Sequence, residues 1–84
     1  MITVKLFGTL RLDTGVKEVQ VAGNRVRDLY SPLLEAILNQ NPDCGITLKK
    51  LKCCNAAVNG VLSTPGSKLQ DGDTVYLFPA VAGG

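Results

Sequence analysis

The 84-residue sequence predicts one α+β domain in which a small mixed sheet packs on one main helix. Alternating apolar and polar residues near the start, and a strand-like run near the end, predict the sheet. Apolar residues at helical spacing between positions 26 and 38 predict the helix. Because 45% of the residues are hydrophobic, the chain can form a single core. The order strand, strand, helix, strand, short strand, strand is typical of an α+β arrangement.

The first two strands are predicted over residues 2–6 and 16–21. In the first strand the even-numbered residues are apolar, which indicates that they face the core, and Phe7 then falls on the outer face. Residues 10–15 contain Asp, Thr and Gly between the two strands, so we interpret them as a short hairpin connection.

The main helix is predicted to begin after Asn24, a residue type that caps helix N-termini, and to end at residues 41–43. Pro32 lies inside the apolar pattern, where it removes a backbone donor. Either the helix kinks there, or Ser31 caps a second helical segment with Pro32 at its first position. Because the apolar phase continues through Pro32, one kinked helix is the favoured interpretation.

The second half of the chain contains a predicted hairpin. Residues 56–58 form a strand, Asn59-Gly60 form the turn, and residues 61–62 form a short return strand. The preceding segment, residues 46–52, fits neither the helical nor the strand period.

The last strand is predicted over residues 75–78, after a turn at residues 71–73. Leu69 is expected to fill the core before this turn, and Pro79 is expected to stop the strand or confine it to an edge. The first and last strands are expected to pair in parallel. If Leu77 faces the core, alternation places Tyr76 and Phe78 on the outer face.

The sequence ends in Gly83-Gly84, after a segment that we interpret as an exposed tail over residues 79–84. Glycine has no Cβ, so a terminal glycine carboxylate can enter a narrow slot in another protein. Glycine-rich ends are also common and often disordered, and this simpler interpretation applies to the diglycine taken alone. The well-defined strand before the tail favours a functional end.

Composition and charge exclude several classes of partner. The net charge of +2 is too small to indicate a nucleic-acid partner, and no apolar run is long enough to span a membrane. The N-terminus lacks the layout of a signal peptide, so a cytoplasmic location is expected. Two basic clusters, Arg25/Arg27 and Lys49/Lys50/Lys52, are interpreted as solvated faces or as the rim of a protein-docking surface.

Three cysteines, Cys44, Cys53 and Cys54, also fit a reducing compartment, because their number is odd and no export signal accompanies them. The sequence contains no histidine, and the cysteine spacing matches no metal-site pattern, so no metal is expected. Packing in strands or loops is the expected role of these side chains.

Five segments together resemble the MoaD/ThiS sulfur-carrier family, and within it the small subunit of molybdopterin synthase. They are residues 4–7, 26–29, 58–60, 69–75 and the Phe-Pro…Gly-Gly ending at 78–84. The resemblance implies a ubiquitin-like β-grasp fold. Ala80 stands where the family usually has a second proline, and Pro32 inside the helix is atypical.

The resemblance also implies a carrier that is not itself an enzyme and binds no cofactor. An adenylating enzyme would use ATP to activate the Gly84 carboxylate, which a sulfur donor would convert to a thiocarboxylate. The sulfur would then pass to molybdopterin synthase's large subunit or to another acceptor enzyme. Residues Val81, Ala82 and Gly83 would thread the tail into these enzymes, and Phe7, Leu62 and Phe78 would form the docking surface.

Three alternatives remain open at this point. The chain could serve the thiamine pathway or another sulfur-transfer pathway, or act as a ubiquitin-like modifier joined through Gly84 to lysines. It could also be a plain binding module, in which case removal of Gly83-Gly84 would change nothing.

Overall fold

The computed structural model describes residues 1–79. The elements in chain order are β1 (Ile2–Leu6), α1 (Gly8–Thr14), β2 (Glu18–Val21), a 3₁₀ turn (Val26–Leu29), α2 (Tyr30–Gln40), α3 (Leu48–Lys52), β3 (Cys54–Val58), β4 (Val61–Ser63) and β5 (Thr74–Pro79). The strands form one sheet in the order β2-β1-β5-β3-β4. β1 and β5 are parallel and the other pairs are antiparallel. The predicted fold class and the parallel pairing are confirmed.

The core lies between one face of the sheet and the helices. Helix α2 buries Tyr30, Leu33 and Ile37 against this face. β1 and β5 bury alternate residues, as predicted from the sequence, and Leu69 fills the core as expected. Alternation therefore leaves the other residues of both strands on the outer face of the sheet.

The connection between β1 and β2 is the helix α1, so the predicted short hairpin loop over residues 10–15 is wrong. Leu10 and Thr14 lie four residues apart and share one buried face of the helix. The Thr14 hydroxyl donates to the Leu10 carbonyl (2.8 Å), and Asn41 Nδ2 donates to the Thr14 carbonyl (2.8 Å). Gly15 ends α1 in the left-handed conformation (φ 68°), which glycine adopts without steric cost.

The main helix begins differently from the prediction. Arg25, and not Asn24, precedes the first helical residue, and its backbone N–H donates to the Asp28 carboxylate (3.1 Å). The 3₁₀ turn continues directly into α2, and Pro32 is the third residue of α2. The first N–H groups of an α-helix have no intrahelical partner, so proline is tolerated there. The helical run therefore continues through Pro32, with a change from 3₁₀ to α geometry before it.

The segment that fitted neither period contains the short helix α3. The hydroxyl of Thr47 caps it by accepting from the Lys50 backbone N–H (3.3 Å). The next turn agrees with the prediction, because Asn59 (φ 51°) and Gly60 (φ 89°) both have positive φ, as a two-residue hairpin turn of type I′ requires.

The Asp73 carboxylate connects the turn before β5 to the β3–β4 turn. It accepts hydrogen bonds from the Gln70 backbone N–H (2.8 Å) and from Asn59 Nδ2 (3.1 Å). Asn59 Oδ1 in turn accepts from the Thr74 backbone N–H (3.0 Å). The bonds from Gln70 and Asn59 lower the pKa of Asp73 below its ordinary value, because they favour the charged form.

This shift predicts a pH dependence of stability. Because the folded-state pKa is the lower one, Asp73 contributes stability that is fully present above the unfolded pKa of about 3.9. That contribution is lost as the pH falls through the folded-state pKa. We expect the free energy of unfolding to decline below about pH 4 more steeply in the wild type than in Asp73→Asn, measured by urea unfolding across the acid range. Parallel declines in the two proteins would contradict the assignment.

Candidate functional site

Three predicted docking residues lie on the outer face of the sheet, opposite the helices. Phe7, directly after β1, is 40% exposed, and Leu62 in β4 is 71% exposed. Phe78 in β5 is half-buried and alternates with the buried Leu77. The predicted outward orientation of Phe7 and Phe78 is confirmed.

Tyr76 lies between these residues. It stands opposite Lys5 of β1 on one side and Ala57 of β3 on the other, and Ala57 stands opposite Leu62. The Phe7 and Tyr76 rings stack with centroids 5.6 Å apart, and the Lys5 ammonium lies 6.0 Å from the Tyr76 centroid. The sheet therefore presents a continuous apolar surface, which we call the apolar face and define as Phe7, Leu62, Tyr76 and Phe78.

Tyr76 was not among the predicted docking residues, although alternation along the last strand placed it on the outer face. Its importance depends on strand order, because β5 is central and its outward side chains lie between those of β1 and β3. Only the pairing of Tyr76 with Lys5 and Ala57 shows that it connects Phe7 to Leu62. Sequence reasoning could not supply that pairing.

The apolar face has the composition of a protein-binding surface. Its four side chains offer no carboxylate, imidazole or thiol that could act as a general base or nucleophile. Exposed apolar surface with aromatic residues at its centre is typical of protein interfaces, where aromatic side chains contribute most of the binding energy.

The end of β5 lies beside a cavity of about 190 Å³. Its lining residues are Thr9, Leu10, Lys50, Cys53, Cys54 and Pro79. Pro79 pairs with Cys54, so the sheet continues to the last described residue. Gly8 (φ 62°) packs against this end, and a Cβ there would approach Pro79 Cδ to 3.4 Å. The predicted reactive residue Gly84 and the threading residues Val81, Ala82 and Gly83 lie outside the described residues.

Pro79 does not lie at a sheet edge, which corrects one of the predicted possibilities. It is the last residue of the central strand, and the pairing of β5 with β1 ends two residues earlier, at Leu77. A proline at this position can end the ladder without leaving a gap inside it.

The cysteines have different environments. Cys44 and Cys54 pack against the core and Cys53 is exposed. The Cys54 thiol donates to the Lys50 carbonyl (3.3 Å). Burial and the neighbouring Cys53 raise the pKa of Cys54, partly offset by Lys50, so Cys54 remains a protonated thiol at neutral pH. Among residues 1–79, no three His, Cys, Asp or Glu side chains are grouped as metal ligands.

No helix within the described part of the chain combines the length and apolar character needed to cross a membrane.

A mixed five-stranded sheet with one main helix against its inner face defines a small ubiquitin-like β-grasp protein. The model of the ThiS family matches residues 4–84, which is nearly the whole chain. The chain therefore belongs to the ThiS family, whose members are small sulfur-carrier proteins, and the resemblance inferred from the sequence is confirmed.

Solved structures agree with this assignment. A Pyrococcus furiosus protein assigned as molybdopterin converting factor subunit 1 is 32% identical, with a TM-score of 0.61, covering 95% of this chain and 97% of its own. A complex of subunits 1 and 2 of the molybdopterin-converting factor from Helicobacter pylori 26695 contains a chain that is 26% identical, with a TM-score of 0.61 and coverage of 99% and 97%. Small archaeal modifier protein SAMP1 from Haloferax volcanii is 28% identical, with a TM-score of 0.65 and coverage of 99% and 98%. Among curated proteins, none matches this sequence.

Proposed function

We propose that this chain is a sulfur carrier for molybdopterin synthesis whose Gly84 carboxylate is adenylated and then thiocarboxylated. It would act as the small subunit or co-substrate of a synthase, not as an enzyme. The main support is the position of Phe78 on the apolar face, one residue before the end of the described sheet. Membership of the ThiS family supports the same function.

The position of β5 explains how docking and chemistry can be combined. Phe78 lies on the apolar face, and only Pro79 separates it from residues 80–84. Five residues can span at most on the order of 17 Å when extended. A partner that binds the apolar face can therefore have its active site within reach of Gly84. Docking would hold the start of residues 80–84 in place on the partner. The Gly84 carboxylate would then be confined to a small volume around the partner's active site.

The chemistry requires activation, because a carboxylate is a poor electrophile. The Gly84 carboxylate would attack the α-phosphate of ATP in the adenylating enzyme, which gives an acyl-adenylate and releases pyrophosphate. Hydrosulfide, or its equivalent from a sulfur donor, would then attack the acyl carbon. The carbon–oxygen bond to AMP breaks, AMP leaves, and the thiol proton passes to solvent. The carrier supplies the carboxylate and the docking surface, and the partner enzyme supplies the catalytic groups.

The proposed partners are an adenylating enzyme and the large subunit of molybdopterin synthase. The Helicobacter pylori structure, a complex of subunits 1 and 2 of the molybdopterin-converting factor, supports the second of these. In this proposal ATP is bound by the adenylating enzyme, the carrier binds no cofactor, and the reaction takes place in the cytoplasm without a nucleic-acid or membrane partner.

We expect thiocarboxylate to form at Gly84 when the protein is incubated with its adenylating enzyme, ATP and sulfide. Intact-mass analysis should show the replacement of one oxygen by sulfur, and fragmentation should place it at Gly84. A variant with Cys44, Cys53 and Cys54 all replaced by Ser should react equally well, because no thiol takes part in the proposed steps.

The folding of that triple variant must be checked first by circular dichroism, since serine at a partly buried site can lower stability. A folded triple variant that accepts no sulfur would make a cysteine an obligatory relay. The passive-carrier mechanism would then be wrong, although the family assignment would stand.

A ubiquitin-like modifier is the second candidate function, and similarity to SAMP1, a small archaeal modifier protein, favours it. It uses the same activated Gly84, which would be attacked by the ε-amine of a lysine on another protein. Tryptic digestion of conjugates from the native host should then yield lysine-branched peptides whose branch is residues 69–84, because Lys68 is the last tryptic site before Gly84. Sulfur transfer without such branched peptides would exclude this candidate.

A further inference from the structure

A second candidate site lies on the helical side of the sheet. It is a groove of about 440 Å³ lined by Arg27, Asp28, Tyr30, Lys52 and Pro65. Small-molecule sites have volumes of about 300–1,000 Å³, so the groove is large enough for a metabolite. The Arg27 backbone N–H donates to the Pro65 carbonyl (2.8 Å), which joins two walls of the groove. Its lining shares no residue with the apolar face.

The groove carries an excess of positive charge. Arg27 and Lys52 are exposed and form no ion pair with any residue from 1 to 79. Asp28 is the acidic residue of the lining, and its Oδ2 accepts from the Arg25 backbone N–H (3.1 Å). The Arg25 guanidinium adds a further positive charge beside the groove, where it donates to the Gly66 carbonyl (2.7 Å). The groove therefore favours anions.

Tyr30 supplies a neutral donor. The residue is only 5% exposed, yet its hydroxyl bonds no described residue. Every fully buried polar side-chain atom among the described residues has a hydrogen-bond partner. The Tyr30 hydroxyl has none, so it is accessible to solvent. Tyr30 lines the groove, so this accessible hydroxyl is available there as a hydrogen-bond donor. Burial and nearby Cys54 raise the pKa of Tyr30, so the hydroxyl keeps its proton at neutral pH and can donate it.

We propose that this groove binds the phosphate group of a small phosphate monoester between Arg27, Lys52 and the Tyr30 hydroxyl. A phosphate dianion matches two positive charges, and the guanidinium fork can bind two of its oxygens at once. The Tyr30 hydroxyl can donate to a remaining oxygen. A carboxylate has one charge and two oxygens, so it would leave part of this donor set unused. The proposal does not depend on Gly84 or on the apolar face.

The test is a titration with ribose 5-phosphate at constant ionic strength, followed by the backbone amide shifts in NMR, with ribose as the neutral control. We expect saturable shifts at residues 27–30, at Lys52 and at Gly66, and none with ribose. Arg27→Gln and Lys52→Gln should each weaken binding by about tenfold, as loss of a charge-assisted contact does. Tyr30→Phe keeps the ring and should weaken it by about threefold, as loss of one hydrogen bond does.

Lys17→Gln is the matched control, because Lys17 is an exposed lysine outside this groove. Equal weakening by Lys17→Gln and Lys52→Gln, or shifts spread over all basic residues, would overturn the proposal in favour of general charge attraction. Equal binding of ribose would also overturn it. If a phosphoserine peptide binds at least about tenfold more tightly than ribose 5-phosphate, the proposed small-molecule ligand is wrong and the ligand is a phosphorylated protein. If Tyr30→Phe does not fold, the exposed Arg27 and Lys52 variants still decide the outcome.

Discussion

Addition of one leucine after Gly84 is expected to abolish adenylation without changing the stability of the domain. In the proposed function the terminal carboxylate enters a slot in the adenylating enzyme that admits glycine and excludes a Cβ. A leucine after Gly84 moves the carboxylate and places a branched side chain in that slot. The core of the described residues is formed by side chains between Ile2 and Leu77, so the free energy of unfolding is expected to stay at the wild-type value.

Pyrophosphate release with the adenylating enzyme and ATP measures the first effect, and urea unfolding measures the second. Chain extension by one glycine is the matched control, because it moves the carboxylate equally but adds no side chain. A larger loss of rate with leucine than with glycine would assign the effect to side-chain size. Adenylation of the leucine variant at the wild-type rate would contradict the slot and with it the proposed role of the diglycine end.

Neighbouring substitutions in β5 are expected to have opposite effects. Leu77 is 2% exposed and belongs to the core, so Leu77→Ala should lower the free energy of unfolding by about 2–5 kcal/mol. Phe78 is on the apolar face, so Phe78→Ala should cost less stability but weaken partner binding by about 2 kcal/mol or more, as loss of an aromatic anchor does.

Each variant is the control for the other, because the two positions share a strand and differ in the face that they occupy. Urea unfolding gives the stabilities, and isothermal titration calorimetry with the adenylating enzyme or the synthase large subunit gives the affinities. Equal stability losses at Leu77 and Phe78 would contradict the orientation of β5. If Phe78→Ala binds the partner as tightly as the wild type does, the proposed docking role of the apolar face is wrong.

The strands were predictable because each has a periodic signal or a specific turn. Alternation in residues 2–6 and 75–78 fixed which side chains face the core, and Asn59-Gly60 fixed the hairpin. The helix α1 was not predictable in the same way. It has seven residues and only two buried positions, Leu10 and Thr14, which is too short for a helical period to stand out. Its Asp-Thr-Gly end resembles a hairpin turn as much as a helix C-terminus.

Other features depend on contacts that a linear sequence does not contain. The Thr47 cap was a local signal for α3 that sequence reasoning missed. By contrast, the position of Tyr76 at the centre of the apolar face depends on strand order. The groove similarly brings together Arg27 and Lys52, which are 25 positions apart in the sequence. They belong to two basic clusters that the sequence alone does not connect. Such features require the tertiary structure.

The central position of β5 has a consequence for synthesis. β1 pairs on one side with β2 and on the other with β5, and β3 reaches β1 only through β5. A nascent chain that stops before residue 74 therefore holds two separate strand pairs, β1–β2 and β3–β4, and cannot close its sheet. Since synthesis proceeds from the N-terminus, the domain completes its fold only after β5, the strand before the proposed reactive end, has been made. Incomplete chains would be unfolded and open to proteolysis, so partner enzymes would meet few folded carriers that lack the strand before the tail.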